Sequence, residues 1–188
     1  STIASTILGT SAALALYHYN TCLQKIHYSL IYAPLVIPDI LMGISLLLFF
    51  VAINISLGLG TIFIAHTSFC MSYVTMIMLA KLQNFDFSVA EAAQDLGANA
   101  WTVFRRVLLP LLAPGIIAAA LLSFTMSIDD FVITFFVAGE GVTTLPLYIY
   151  SMIRTSSTPI VNALSTLILI GSCLSVWIVQ LFSKEELL

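Results

Sequence analysis

Three carboxylates lie inside long hydrophobic stretches of this sequence: Asp39, Asp129 and Asp130. Even on mild scales, an ionised side chain at the centre of a bilayer costs about 3 kcal/mol, so such a group generally faces a cavity, a partner or a ligand. No Lys or Arg occurs in the same stretches, and we expect all three acids to be unpaired within this chain. The acids therefore favour a cationic ligand, although a basic side chain from another subunit is an alternative partner.

Asp39 lies in a sequence that is expected to interrupt a helix. It follows Pro38 directly and Pro34 by five residues. Proline lacks a backbone N–H and obstructs the preceding turn, so the freed carbonyl groups should face protein or water. A carboxylate beside exposed carbonyl oxygens attracts cations. We therefore predict that Asp39 lies on a substrate pathway.

The adjacent acids Asp129 and Asp130 occupy different faces of a predicted helix, because successive residues are about 100° apart. Asp130 shares one stripe with three hydroxyl residues, Ser123, Ser127 and Thr134. This stripe is predicted to be wet or to face a subunit. Ser127 and the three acids form the predicted substrate pathway. The alternative for the acidic pair is a cap near the outer end of its helix.

Other side chains near the acids have more ordinary predictions. His66 is expected to be a hydrogen-bonded packing residue rather than a proton relay. Five aromatic residues could offer cation–π faces, although packing or the interfacial belt accounts for most of them: Phe124, Phe131, Phe135, Tyr148 and Tyr150. No metal site is predicted, and three widely spaced cysteines are expected to be packed free thiols: Cys22, Cys70 and Cys173.

The composition indicates an integral membrane protein. The 188 residues include 6 Lys or Arg and 9 Asp or Glu, so that 8% are charged, while 60% are hydrophobic and the mean hydropathy is +1.08. A soluble domain has about 25% charged residues, and so few charges cannot cover a water-facing surface. The high apolar content also excludes a disordered chain. The net charge of −3 gives no support to nucleic-acid binding, which needs a basic patch.

The hydrophobic stretches predict five membrane-spanning helices, because a bilayer core of about 30 Å needs about 20 apolar residues in a helix. The predicted spans are 1–17, 28–53, 59–80, 111–137 and 159–182. Residues 1–188 are therefore expected to form one all-α transmembrane domain, a polytopic helical bundle. Small residues predict packing faces in the first and third spans: Ser1, Ser5, Gly9 and Ala13, and then Thr61, Ala65, Ser68, Ser72 and Thr75.

The basic residues predict the orientation, since Lys and Arg collect on the cytoplasmic side of a membrane. If the chain crosses the membrane five times, only Arg154 falls on one side of the membrane. Five basic residues fall on the other side: Lys25, Lys81, Arg105, Arg106 and Lys184. The C-terminus is therefore expected in the cytoplasm and Ser1 on the outer side. A first span that runs inward usually follows one that runs outward, so at least one further N-terminal span is expected before this sequence.

The segment 83–110 is too polar to span the membrane, and its mostly helix-forming sequence is not that of a flexible linker. Ser88 is predicted to cap a short helix, with Glu91 completing a capping box. Gly97 permits a sharp turn, and a second short helix from Asn99 leads to the next span. Two short helices bent at a glycine suit the groove of a partner protein, whereas the alternative is a surface helix at the lipid interface.

The same segment resembles the EAA loop of permease subunits of ABC importers. The elements that match that loop in spacing are Glu91-Ala92-Ala93, Gly97, Val107 and Leu109-Pro110. The resemblance implies a MetI-like permease fold and a coupling helix that docks into an ATPase subunit through Glu91, Ala92, Ala93, Asp95 and Gly97. The chain lacks a phosphate-binding loop of the Gly-x-x-x-x-Gly-Lys-Ser/Thr type. ATP and Mg²⁺ are therefore expected in the partner, and neither a cofactor nor enzymatic activity is expected here.

Three further stretches resemble the spermidine/putrescine permeases of this family. They are 38–46 (PDILMGISL), 123–130 (SFTMSIDD) and 145–152 (LPLYIYSM). That resemblance implies a multi-pass protein of the bacterial inner membrane, in contact with lipid. It also implies a complex of two related permeases, an ATP-binding subunit dimer and an external solute-binding protein that delivers a polyamine. Carboxylates along a pathway fit a flexible polycation, because successive weak sites let an ion both enter and leave.

Three alternatives stay open from the sequence. The same fold could carry another solute, such as ferric ion, thiamine or an opine. An ATP-independent cation channel or secondary carrier would use the three acids to bind ions. An interfacial scaffold without transport would explain the segment 83–110 but not the acids within the hydrophobic stretches.

Overall fold

The computed structural model describes residues 1–18, 24–154 and 158–184, and all regular secondary structure in these ranges is helical. The α-helices, in chain order, are α1 (Thr2–His18), α2 (Gln24–Val36), α3 (Asp39–Ala52), α4 (Leu59–Gln83), α5 (Ser88–Asp95), α6 (Ala100–Val103), α7 (Leu109–Asp129), α8 (Val132–Val137), α9 (Leu145–Arg154) and α10 (Thr158–Lys184). A π-helical turn, Phe104–Leu108, joins α6 to α7. The predicted all-α class is confirmed.

Helix α4 is the central packing element, and it contacts α1, α2, α7 and α8. Two hydrophobic clusters include its buried side chains. In one, Met78 of α4 packs with Leu112 of α7 and with residues of α1 and α2. In the other, Phe69 of α4 packs with Ile133 of α8 and with α3. Helix α4 therefore supports both the long helix α7 and the short helix α8 that follows it.

The small residues of α1 form the predicted packing face. Ser5, Gly9 and Ala13 are buried, and Thr75 of α4 donates a hydrogen bond to the Gly9 carbonyl at 3.2 Å. A Cβ atom at Gly9 would lie 2.7 Å from the Cβ of Val74. The two backbones approach this closely because position 9 has no side chain.

The predicted small-residue face of α4 is confirmed at four positions of five. Thr61, Ala65, Ser72 and Thr75 are buried, whereas Ser68 is exposed and the prediction is wrong there. Thr61 bonds to the Val137 carbonyl of α8 at 2.7 Å, and Thr75 bonds to α1. Ser68 lies midway along α4 between these two contacts and is left exposed.

The predicted second span, 28–53, is not one straight helix. Helix α2 ends at Val36, α3 begins at Asp39, and the two helices are bent by 113°. Pro38, between them, has an extended ψ of 138° that cannot continue a helix. The break predicted from the two prolines is confirmed, and Asp39 is the first residue of a helix rather than the middle of a span.

The segment 83–110 contains both predicted short helices, but the predicted capping box is wrong. Helix α5 begins at Ser88 itself, and no side chain caps it at the preceding residue, Phe87. Ser88 is already helical, so its hydroxyl cannot act as the cap. The Asp86 carboxylate instead accepts a hydrogen bond from the Ser88 N–H at 2.9 Å. Bonds from the Ser88 hydroxyl and N–H hold the pKa of Asp86 below its usual value.

Beyond α5 the chain turns at Gly97, which has a φ of +86° as the glycine predicted. Asn99 caps α6 by accepting a hydrogen bond from the Thr102 N–H at 2.8 Å. From Ala100 the chain is one helix of 30 residues that ends at Asp129, and the second short helix is therefore continuous with the next span. The wider π-helical turn ends two residues before Pro110, whose ring would crowd an ordinary α-turn.

The predicted fourth span, 111–137, is interrupted at Asp130. Helix α7 ends at Asp129, and Asp130 has a ψ of 118° before α8 begins. A turn after α8 passes through Gly139, which has a φ of +69°. A Cβ atom at Gly139 would lie 2.6 Å from the carbonyl oxygen of Leu57. Helices α9 and α10 follow this turn.

Two helices of the described chain are long and apolar enough to cross a membrane, Leu59–Gln83 and Ala100–Asp129. The bent pair α2–α3 makes a third candidate if the two helices count as one span, and Asn162–Ser175 is a shorter apolar helix. The total of five spans stays a prediction. Cys70 is buried as predicted, whereas Cys173 is exposed and the prediction of a packed thiol is wrong there. Cys22 lies outside the described residues.

Candidate substrate cavity and coupling surface

The three intramembrane carboxylates meet at one cavity of about 350 Å³. Asp39 reaches it from the start of α3, while Asp129 and Asp130 reach it from the end of α7. The other lining residues are aromatic or aliphatic: Phe69, Tyr73, Met126, Phe131, Val132 and Ile133. The sequence predicted each acid as part of a pathway, and the structure brings residues 39 and 129 together from separate helices.

Asp39 is exposed at the first position of α3. The carbonyl of Pro38 beside it accepts hydrogen bonds from the N–H groups of Leu41 and Met42 at 2.9 and 3.1 Å. The Pro38 carbonyl is therefore used within α3. The carbonyls that Pro34 and Pro38 free are those of Leu30 and Pro34, and their exposure to the pathway stays a prediction. Asp39 lies in the first turn of α3, where the positive end of the helix dipole is located.

Asp130, in contrast, is bonded within the chain, and its side chain is only 9% exposed. Its Oδ2 atom accepts hydrogen bonds from the N–H of Thr134 at 2.8 Å and from the hydroxyl of the same residue at 2.7 Å. Its Oδ1 atom accepts one from the Ile133 N–H at 3.3 Å. Asp130 therefore caps α8. His66 Nε2 also lies 3.3 Å from Oδ2, so the prediction that all three acids are unpaired is wrong for Asp130.

His66 connects α4 to both sides of the break between α7 and α8. Its Nδ1 lies 2.8 Å from the Ser127 hydroxyl on α7, and its Nε2 lies 2.8 Å from the Thr134 hydroxyl on α8. The ring is buried and packs edge-on against Phe69, with 5.5 Å between ring centroids. His66 is a hydrogen-bonded packing residue as predicted, but the sequence did not indicate that Asp130 is among its partners.

The two serines of the polar stripe, Ser123 and Ser127, face helices of the same chain, so the prediction of a wet face or a subunit contact is wrong at these positions. Ser123 bonds to Ser5 of α1 at 2.7 Å, and Ser127 bonds to Ser1 at 2.9 Å as well as to His66. Helix α1 covers this face because its own small residues allow close approach. Ser127 is not among the residues that line the cavity, and its role in a substrate pathway stays a prediction.

Asp129 is exposed and lines two cavities. It borders the cavity with Asp39, and it also borders a second one of about 310 Å³ together with Phe131 and Tyr150. The rings of these two aromatic residues lie 4.8 Å apart. Of the five aromatic residues considered from the sequence, these two flank an acid, whereas Phe124 lines an apolar cavity beside α10. Asp39 and Asp129 are therefore the two exposed acids that line the cavity.

The predicted ATPase-contact residues form an exposed surface around α5. Glu91, Ala92, Asp95 and Gly97 are exposed, and Ala93 is half-buried. Two apolar side chains that the sequence did not single out project beside them: Leu96 is 90% exposed and Trp101 is 65% exposed. A group of exposed apolar side chains on one surface is typical of a contact site. Their position next to the Gly97 turn is the signal that could have identified them.

Helix α5 is also anchored to the end of α1. Phe87, the residue before α5, stacks on Tyr17 with 5.0 Å between ring centroids and an angle of 15° between planes. Phe85 packs edge-on against Phe87 at 4.8 Å. The short helix is therefore attached to α1 by aromatic contacts as well as to α7 through the chain.

A family model described as the inner membrane component of binding-protein-dependent transport systems matches residues 5–185. The chain belongs to this family. The permease shares its fold with a chain of the inward-facing MetNI methionine ABC transporter, with a TM-score of 0.74 and 19% identity over 98% of this chain and 90% of that one. The permease is thus a helical inner-membrane protein, and the predicted MetI-like fold is confirmed.

The permease is homologous to polyamine permeases of bacteria. It is 40% identical to the spermidine/putrescine transport system permease protein PotC of Haemophilus influenzae over 182 residues, which are 97% of this chain and 71% of that protein. It is 44% identical to the putrescine transport system permease protein PotI of Escherichia coli K12 over 173 residues, which are 88% of this chain and 62% of PotI. The resemblance to ABC importer permeases is confirmed.

Proposed function

We propose that this chain is the permease subunit of an ABC importer that translocates spermidine or putrescine across the bacterial inner membrane. The observation that carries the proposal is the meeting of Asp39 and Asp129 at one cavity with otherwise aromatic and aliphatic walls. Homology to PotC and PotI supports it, because the names of those proteins give spermidine and putrescine as their solutes.

The cavity suits a flexible polycation. Asp39 and Asp129 expose carboxylates, while Tyr73 and Phe131 offer ring faces to an ammonium group. A metal ion needs several oxygen or nitrogen ligands that converge on one point, and the described residues contain no group of three such side chains that could hold one. An amine can instead move between separate weak sites, as transport requires.

ATP hydrolysis in a partner supplies the driving force in this proposal. The ATPase dimer holds the surface of α5, through Glu91, Ala92, Ala93, Asp95 and Gly97. The helix Ala100–Asp129 begins beside this surface and ends at the cavity, so movement of its cytoplasmic end reaches Asp129 along a continuous helix. The contact of Phe87 with Tyr17 transmits the same movement to α1. Rocking of these helices then exposes the cavity to alternate sides of the membrane.

The remaining partners follow from the same proposal. A second homologous permease completes the pathway, an external solute-binding protein delivers the polyamine, and lipid surrounds the helices. ATP and Mg²⁺ bind to the ATPase subunits, since this sequence has no phosphate-binding loop, and the permease itself is not an enzyme. The basic residues support a cytoplasmic C-terminus.

Uptake of labelled spermidine by cells tests the proposal. Asp39→Asn and Asp129→Asn keep the side-chain shape but remove the charge. We expect each variant to lower uptake at least about tenfold, which corresponds to about 1.4 kcal/mol of lost interaction. Glu140→Gln changes an exposed acid outside the cavity and should leave uptake unchanged at equal membrane abundance. Normal uptake by both Asn variants would overturn the proposal.

Competition experiments separate polyamines from the other solutes. Excess unlabelled spermidine or putrescine should suppress the uptake, whereas ferric ion, thiamine or an opine should not. Uptake should also stop when the ATP site of the partner subunit is inactivated. Persistent uptake in that case would favour an ATP-independent carrier.

A further inference from the structure

His66 and Asp130 form a buried pair whose hydrogen bonds indicate where one proton lies. The Thr134 hydroxyl donates its proton to Asp130 Oδ2 at 2.7 Å. The oxygen of that hydroxyl therefore accepts from His66 Nε2, which lies 2.8 Å away, and Nε2 must carry a proton. The same Nε2 is 3.3 Å from Asp130 Oδ2. His66 Nε2 is thus a donor both to the Asp130 carboxylate, which caps α8, and to the Thr134 hydroxyl beside it.

This pair lies where the chain changes direction. Helix α7 ends at Asp129, Asp130 is extended, and α8 begins two residues later. The Asp130 oxygens hold the first amides of α8, while His66 Nδ1 contacts Ser127 in the last turn of α7. One imidazole ring therefore links α4 to both sides of the break.

We propose that His66 is a positioning residue that acts through Asp130 to direct Asp129 into the cavity. The inference rests on the proposed function, in which that cavity receives the polyamine. Asp130 uses both carboxylate oxygens within the fold, whereas Asp129, one residue earlier, is exposed. Because the buried pair sets the backbone direction at the break, it also sets the direction of the Asp129 carboxylate. Asp130 stabilises the break, and Asp129 contacts the ligand.

Two amide substitutions separate the roles of the two ring nitrogens. The amide of His66→Gln lies near the position of Nε2 and keeps a donor for Thr134 and Asp130. The shorter amide of His66→Asn lies near Nδ1 and leaves Asp130 without that donor. We expect the Asn variant to raise the half-saturating spermidine concentration at least about tenfold and the Gln variant to stay within about threefold of the wild type. Equal losses in the two variants would indicate a space-filling role and overturn the proposal.

A labelling experiment reports the position of residue 129 without any transport. Asp129→Cys is introduced into the complete complex after Cys22, Cys70 and Cys173 have been changed to alanine. A cationic methanethiosulfonate reagent then measures access to the new thiol. His66→Asn should change the labelling rate at least about fivefold, and His66→Gln should not. Equal rates with His, Gln and Asn at position 66 would overturn the proposal.

Thr134 provides the same test if the His66 variants do not reach the membrane. Thr134→Ser keeps the hydroxyl between His66 and Asp130, whereas Thr134→Val keeps the shape but removes the hydroxyl. Only the Val variant should alter the labelling of position 129, and no difference between Ser and Val would contradict the proposal. A wild-type complex that takes up no polyamine refutes the proposed function alone, because the labelling rates still measure the role of His66.

Discussion

Asp129 and Asp130 are adjacent in the chain but have opposite surroundings, because the helix ends between them. Asp129 is exposed to the cavity, and Asp130 is bonded to two backbone amides, a hydroxyl and a histidine. A buried carboxylate is stable only with such partners. An exposed one inside a membrane protein is instead available to a cationic ligand. The two acids therefore differ in structural role even though their side chains are identical.

At the residue scale, Gly9 gives a prediction about stability. Gly9→Ala should lower the thermal midpoint of the detergent-solubilised protein by several degrees, because the new Cβ would lie 2.7 Å from Val74 and 2.9 Å from the Met71 carbonyl. Overpacking of this kind costs about 1–3 kcal/mol. Gly171→Ala is the matched control, since its Cβ would meet no described atom within 4 Å. Equal midpoints for the two variants would contradict the packing of α1 on α4.

Some of these residue contacts could be predicted from the sequence and others could not. The break at Asp39 follows from Pro38, whose ring acts on its own neighbours. The pair of His66 with Asp130 depends on how α4 packs against α7 and α8, and no local pattern contains that information. Ser123 and Ser127 of the predicted stripe lie on one face of α7, but only the structure showed that α1 and α4 cover this face and that Asp130 lies beyond the helix.

At the element scale, the coupling segment is a short helix attached to a long one. Helix α5 turns at Gly97 into a helix that runs from Ala100 to Asp129 without interruption. The sequence predicted the turn at Gly97 and a second short helix from Asn99, because glycine signals the turn locally, but the cap that Asn99 provides was found only in the structure. It did not predict the continuity, since Pro110 suggested a boundary that the π-helical turn Phe104–Leu108 avoids.

The exposed side chain of Leu96 gives a prediction for this element. Leu96→Ser should reduce copurification of the ATPase subunit at least about fivefold, because it removes the most exposed apolar side chain of the segment from the proposed contact. Asn84→Ala changes an exposed residue outside α5 and should copurify normally. ATPase recovery that is the same for Leu96→Ser and the wild type would place the contact elsewhere.

At the scale of the whole molecule, the arrangement of charge predicts how the permease lies in the membrane. Five basic residues fall on the predicted cytoplasmic side, and the turn between α8 and α9 falls on the other. The segment that resembles an EAA loop lies on the same side as these basic residues. The proposed ATPase contact and the proposed orientation therefore agree.

Single-cysteine labelling of intact cells tests this orientation. With the three native cysteines replaced, Glu140→Cys should react with a membrane-impermeant thiol reagent added outside. Asn84→Cys should react only after the membrane is permeabilised, because it lies at the cytoplasmic end of α4 in the predicted orientation. Both positions are exposed, so their access depends on the side of the membrane. The reverse labelling pattern would show that the orientation is wrong.

The composition alone predicted a helical membrane protein, and the motifs predicted the family, because both signals are carried by residue type and local spacing. The cavity required the tertiary structure, since Asp39 and Asp129 belong to helices that meet only after folding. The straight span drawn from hydropathy over 111–137 missed the break at Asp130 for a related reason, whereas the prolines predicted the one before Asp39. Hydropathy records which residues are apolar and contains no term for a change of chain direction.

The most direct test of the cavity is ATP-driven uptake of labelled spermidine into proteoliposomes that contain the complete purified complex. Wild-type permease, the Asp39→Asn/Asp129→Asn double variant and Glu140→Gln are compared at equal protein and equal ATPase content. We expect the double variant to lose at least about 99% of the uptake, if the two carboxylates each contribute a factor of about ten, and Glu140→Gln to match the wild type. Uptake by the double variant at the wild-type rate would contradict the assignment of this cavity to the polyamine.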